Sequence, residues 1–189
     1  MKNIIALVAA AMLTVASSFA APILITDFGS TSLPTINYSD FTSNVQTASS
    51  MAFVGVEGNM LFGDLTSTVA ISSPDWDCVT ITGIYTGAFT GSFVVELFDI
   101  SGNSRSYGGS YASFTPSVSS TVYCAFGVDN GFDGTVTGIG FTAATAGGTQ
   151  SVNLQATNLS ATSVPEPATW LLLAGGLTAV MALRRRRQG

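Results

Sequence analysis

The sequence predicts an all-β domain, a β-sandwich of jelly-roll or immunoglobulin-like type, and three observations carry that prediction. Short runs rich in Val, Ile, Thr, Phe and Tyr recur between clusters of Gly, Ser, Asn and Asp. Between residues 21 and 163 there is no sustained 3.6-residue apolar period of the kind an amphipathic helix shows. Those 143 residues suffice for one domain with its own core, and no repeat of fixed period divides them. A single curved sheet or a solenoid is the alternative architecture.

Nine strands are expected in order. Ile23 to Phe28 opens with β-branched residues, and Met51 to Val56 sets large apolar side chains at every second position. Ser67 to Ile71 is short, whereas Cys78 to Tyr85 alternates Thr with apolar residues. Ser92 to Ile100 and Ser104 to Phe114 flank Ser101-Gly102-Asn103, which reads as a tight hairpin because Gly and Asn tolerate the positive φ such turns demand. Thr121 to Phe126, Val136 to Ala143 and Ser151 to Ala156 complete the set, with a second hairpin expected at Gly147-Gly148-Thr149. The polar stretch from Thr31 to Ser50 reads as a long loop holding at most one edge strand. The sequons Asn37-Tyr38-Ser39 and Asn158-Leu159-Ser160 fit exposed loops.

The two ends are different material. Met1-Lys2-Asn3, the apolar run Ile4 to Val15 and the small-x-small site Ser18-Phe19-Ala20 read as a secretory signal peptide, residues 1–20, cut between Ala20 and Ala21. A permanent N-terminal membrane helix is the rival reading. At the other end, residues 164–189 stack a short motif, Val164-Pro165-Glu166-Pro167, an uncharged run from Ala168 to Leu183, and Arg184, Arg185, Arg186 and Arg187. As a helix the uncharged run rises about 24 Å, a little short of a hydrocarbon core of about 30 Å. Snorkelling arginines at one headgroup layer and Trp170 at the other extend its reach. The arginines resist translocation, which makes them a cytoplasmic stop and puts the body, residues 21–163, on the far side of the membrane.

The Pro-Glu-Pro motif, the apolar helix containing Gly175-Gly176 and the terminal arginine cluster together resemble the PEP-CTERM sorting signal of exported bacterial proteins. The resemblance covers about 26 of 189 residues and is silent on the body. It implies that Pro165, Glu166 and Pro167 are recognition residues for an integral-membrane processing enzyme of exosortase type, and that the transmembrane span is a transient anchor. The rigidity of the prolines agrees, since the chain cannot enter the following helix until Pro167 has passed. The expected route is the Sec translocation machinery, then the inner membrane, then the cell surface or extracellular matrix.

Removing the ends changes the charge balance. The body keeps one basic residue, Arg105, and ten acidic ones, so its formal charge is one minus ten, or −9, against −5 for the whole chain. With one cation it cannot neutralise phosphates, which excludes nucleic acid as a partner. Export places Cys78 and Cys124 where disulfides persist. Their pairing would close a loop of about 47 residues, contributing about 4 kcal/mol on the chain-entropy model. The pair is expected to form a disulfide, with one difficulty from alternation: Cys124 shares a face with Val122 and Phe126, whereas Cys78 alternates opposite Val79 and Ile81, with Trp76, Thr80 and Thr82. A bulge near Asp77 would restore the match, as would Trp76 and Cys78 marking the true inner face. Two separate buried thiols are the other reading.

The absence of histidine removes Ser-His-Asp, Cys-His and ordinary zinc chemistry. What remains is carboxylate chemistry, and Glu96, inside Phe93-Val94-Val95-Glu96-Leu97-Phe98, is the carboxylate most suited to glycan hydrolysis. Asp129 and Asp133, within Asp129-Asn130-Gly131-Phe132-Asp133-Gly134, are the metal candidates, and Ca²⁺ is the one ion the turn would suit. The same residues also make an ordinary turn between strands. Asp75-Trp76-Asp77 has a weaker claim to metal. Tyr107, Tyr111, Trp76 and Phe132 are the aromatics for a sugar-stacking platform, with core packing as the ordinary alternative.

The reading is an exported envelope or matrix protein, non-catalytic, structural or adhesive, associated with exopolysaccharide and needing no cofactor. A β-sandwich carbohydrate-binding module is the first alternative, and a carboxylate-dependent glycan-active enzyme is the second.

Overall fold

The computed structural model describes residues 21–71, 77–143 and 149–162. The expected signal peptide, the sorting tail with its membrane helix, Trp76, Asp75 and the Gly147-Gly148 turn lie outside the described residues. Among the described residues no helix is long and apolar enough to cross a membrane.

Residues 21–163 form one compact unit. Its strands are β1 (Ile23–Thr26), β2 (Thr35–Ser39), β3 (Ser43–Gln46), β4 (Met51–Val56), β5 (Met60–Ala70), β6 (Cys78–Tyr85), β7 (Ser92–Phe98), β8 (Ser104–Ser110), β9 (Ser120–Asp129), β10 (Thr135–Ala143) and β11 (Ser151–Thr162). The only helical turn among the described residues is a 3-10 turn at Tyr111–Ser113, capped by the Ser110 side chain. All eleven strands belong to one sheet in the order β2-β5-β10-β7-β8-β9-β6-β11-β4-β3, and β1 pairs with β11. Because β6 runs along β11 from Leu154 to Thr162, β1 must share the other edge of β11 with β4.

The sheet curls until its two halves face each other. Phe53 of β4 and Phe141 of β10 stand far apart in the strand order, yet their ring centroids are 4.9 Å apart. Tyr85 of β6 stacks on Tyr111 at 4.6 Å, and Phe93 of β7 meets Phe141 at 5.4 Å. Alternation generates this interior: Phe53, Leu61, Ile81, Val95, Leu97, Ile139, Leu154 and Leu159 are all buried, each at a position whose sequence neighbours point to the other face. The pairing is nested, with β7 against β8, β6 against β9, β5 against β10 and β4 against β11, all antiparallel.

Met51–Val56 and Cys78–Tyr85 form where the sequence predicts them. The predicted hairpin at Ser101-Gly102-Asn103 also forms, with Gly102 at φ 79° and the Asp99 N–H donating to the Asn103 carbonyl at 3.0 Å. Three expectations are corrected. The stretch from Thr31 to Ser50 holds two strands, β2 and β3, one at each end of the strand order. The run expected to be strand through Phe114 ends at Ser110, because the Ser110 hydroxyl caps a turn that drops Tyr111 into the core. Both sequon asparagines lie in strands, Asn37 in β2 and Asn158 in β11.

Candidate functional site

A shallow, open depression lies on the outer face of β2, β5, β10 and β7. Gly140 stands opposite Phe62 of β5 and Glu96 of β7, and Gly138 opposite Asp64 and Phe98. Opposed residues point to the same face, so Phe62, Asp64, Glu96 and Phe98 all face away from the core, beside two glycines. A Cβ at 140 would fall 2.8 Å from Cε1 of Phe62, so any larger residue there would push that ring aside. The Phe62 and Phe98 rings meet edge to face with centroids 5.9 Å apart, and the half-exposed Tyr38 ring lies 6.3 Å from Phe62. Between these rings and the turn after β7 is a trough of about 410 Å³, whose polar lining includes Asn37, Asp64 and Thr137.

Two of these residues, Asn37 and Thr137, share a structural cause, a break in the strand ladder, while Asp64 is in register opposite Gly138 and Thr35. On β2 the register passes from Ile36 opposite Gly63 to Tyr38 opposite Phe62, leaving Asn37 as the extra residue of a bulge. On β10 it passes from Val136 opposite Val69 to Gly138 opposite Asp64, leaving Thr137 in the irregularity. Bulges re-aim side chains and occur preferentially beside sites. Thr137 Oγ1 donates to the Phe98 carbonyl at 3.2 Å, whereas among the described residues the side chains of Asn37 and Asp64 make no internal hydrogen bond.

The rim is the Asp99–Gly102 turn, with Ile100 at its tip 83% exposed. Asp99 organises it. Oδ1 accepts from the N–H groups of Ser101 and Asn103 at 2.8 and 2.9 Å, and Oδ2 from Asn103 Nδ2 at 3.0 Å and the Asp133 N–H at 3.3 Å. Burial works against the charged carboxylate, but these donors outweigh it and hold its pKa below the ordinary aspartate value.

The other candidate residues fall elsewhere. Asp129 Oδ2 accepts from Arg105 Nη1 at 2.8 Å, while its Oδ1 accepts from the N–H groups of Gly131 and Phe132 at 2.9 and 3.0 Å. Asp133 Oδ1 accepts from the Thr135 N–H at 2.7 Å. The two carboxylates thus close separate turns, and among the described residues no group of three His, Cys, Asp or Glu is placed to hold a metal. Glu96 is half-exposed on the outer face of β7, opposite Ser106 and Gly140, and not sunk among the apolar neighbours its sequence suggests. The aromatic platform is corrected: Tyr107, Tyr111 and Phe132 are all buried in the core. The half-buried aromatic pair at Phe62 and Phe98 escaped sequence reading, because only the strand register sets those rings side by side on the outer face.

The expected disulfide is also corrected, for Cys78 and Cys124 are both free and buried. The β6–β9 register runs unbroken from Cys78 opposite Ala125 to Gly83 opposite Ser120, so no bulge restores the match. Cys124 pairs with Val79, which puts the two thiols on opposite faces. Burial pushes the Cys124 thiol up to about 12, with a smaller contribution from Cys78. Burial also raises Cys78, partly offset by a hydrogen bond with the Cys124 backbone. Neither thiol is a nucleophile in this state.

Three comparisons with known proteins bear on the chain. No curated protein matches the chain. The crystal structure of an agarase is similar in fold, with a TM-score of 0.55 and 12% identity over 77% of this chain. The likeness covers 26% of the agarase, so the chain spans about a quarter of that protein's length, and what is shared is the fold. The family described as the PEP-CTERM protein-sorting motif matches residues 163–187. That match takes in Val164-Pro165-Glu166-Pro167 and all four arginines, so the chain carries a PEP-CTERM protein-sorting motif over residues 163–187.

Proposed function

We propose that this chain is an exported, non-catalytic protein of the cell envelope or extracellular matrix, sorted through its tail and associated with exopolysaccharide. The single observation that carries the reading is the sorting motif at residues 163–187, set immediately after a self-contained β unit. In this account the signal peptide is removed between Ala20 and Ala21. The uncharged run from Ala168 to Leu183 then holds the chain in the membrane while an exosortase-type enzyme reads Pro165, Glu166 and Pro167. The nested pairing of β4 to β11 favours the jelly roll over the immunoglobulin-like sandwich, since first-with-last pairing repeated inward is the wrapping of two Greek keys.

A structural role fits the carboxylates, which elsewhere would signal catalysis. Asp99, Asp129 and Asp133 are engaged with turn N–H groups, and Asp129 also with Arg105. Glu96 has no carboxylate opposite it on either neighbouring strand. The carbohydrate-binding alternative is favoured by one feature, the outer trough.

The test compares the full chain with a variant lacking residues 164–189 in the producing bacterium. The full chain is expected in the extracellular fraction, sedimenting with the exopolysaccharide, while the truncated chain accumulates in the periplasm. Equal sorting of both would overturn the role of the tail, and a full chain that never sediments with the polysaccharide would overturn the matrix role.

A further inference from the structure

We propose that the trough between Phe62, Phe98, Asn37 and Asp64 is a glycan-binding site that takes an uncharged pyranose chain. The inference rests on the matrix reading above and names the surface that would carry it. Four observations argue for it. The Phe62 and Phe98 rings, partly exposed and 5.9 Å apart, present the apolar surface against which the C–H face of a sugar ring packs. Asn37 and Asp64 stand exposed beside them with no internal partner among the described residues, and offer both acceptors and donors to ring hydroxyls. Two members of the polar lining fall at irregularities in otherwise regular ladders, which aim Asn37 and Thr137 into the space. The trough, about 410 Å³, is shallow and open to solvent, the form a polymer chain can enter from the side.

Charge selects the occupant. Asp64 and Asp99 line the trough and the body carries a formal −9, while its one cation, Arg105, is already 2.8 Å from Asp129. Acidic polysaccharide and nucleic acid meet no counter-charge here, and a second copy of the chain brings a second set of negative charges. A neutral polyol chain meets neither obstacle. Sugar hydroxyls satisfy the exposed amide and carboxylate.

The test uses the full chain in mild detergent and measures retention on dextran, a mixed-linkage β-glucan and a neutral galactan, with alginate as the acidic arm. Retention on at least one neutral polymer and none on alginate is expected. Phe98→Ala should weaken retention about tenfold or more. So should the surface variant Asn37→Ala/Asp64→Ala, which touches no core residue, since losing hydrogen bonds to a ligand costs on that order. Tyr123→Ala, an exposed aromatic change on β9 of the other half of the sheet, should leave retention unchanged. If the wild-type chain binds a neutral polymer and both trough variants bind it equally, the site is wrong while the matrix reading stands. If the wild-type chain binds none, or prefers alginate, the site is overturned, and sedimentation with the native exopolysaccharide then decides the matrix reading separately.

Discussion

Arg105 Nη1 stands 2.8 Å from Asp129 Oδ2, and the same guanidinium lies 4.3 Å from the centre of the Phe126 ring. The body's one cation is therefore spent on the carboxylate that its sequence offers to calcium. With Oδ1 closing the Gly131–Phe132 turn, Asp129 has both oxygens engaged without a metal. Arg105 is nearly buried and Asp129 about one-third exposed, with side-chain exposures of 11% and 32%. Arg105→Met should therefore lower stability by about 1–2 kcal/mol in urea unfolding, between the values for exposed and buried pairs. Millimolar Ca²⁺ should leave the Tm of the wild-type protein unchanged, and a rise saturating with Ca²⁺ would restore the metal site.

Asp99 gives the fold an acid-side dependence. Its folded pKa lies below the ordinary value of 3.8, so its contribution is fully present above the unfolded pKa and is lost as pH falls through the folded one. The expected result is a Tm difference between wild type and Asp99→Asn that is constant from neutral pH to about pH 5 and narrows below about pH 4. A gap that persists unchanged into strong acid would show that the carboxylate's charge contributes nothing.

Burial at the two thiols predicts their reactivity. In the native protein an alkylating reagent should label neither Cys78 nor Cys124 on a timescale of minutes. In denaturant without reductant both should react. Failure to label either in denaturant would reveal a disulfide, and would mean that the β6–β9 register differs from the one described.

Tyr111 is wholly buried, and its hydroxyl has no hydrogen-bond partner among the described residues. The ring itself is well packed, stacked on Tyr85 and tilted 4.9 Å from Phe93. Tyr111→Phe should therefore stabilise the protein by about 1 kcal/mol in urea unfolding, because an unsatisfied buried hydroxyl is removed and the ring contacts stay. A loss of similar size would reveal a partner for the hydroxyl.

What was legible in the sequence follows burial. Met51–Val56 and Cys78–Tyr85 are strands with one face wholly inside, so alternation marks their ends. The edge strands Thr35–Ser39 and Ser43–Gln46 bury almost nothing and leave no pattern to read. The second half of Ser151–Thr162 was missed for another reason: the register shifts between Ala156 and Asn158, and that break interrupts the alternation. Tyr107 and Tyr111 looked like a surface platform because a phenol is ambiguous in sequence, and the facing layer decides it. The trough was illegible because its parts come from four strands, and Gly63 and Gly138 in its lining gain meaning only when the register sets Phe62 and Phe98 beside them.

In the proposed route the tail is a sorting device that the finished protein lacks. Intact mass spectrometry of the extracellular form decides this. The expected product is a chain that begins at Ala21 and lacks Arg184 to Arg187, ended at or near the Pro165-Glu166-Pro167 motif. An extracellular protein whose mass retains the four arginines would contradict it.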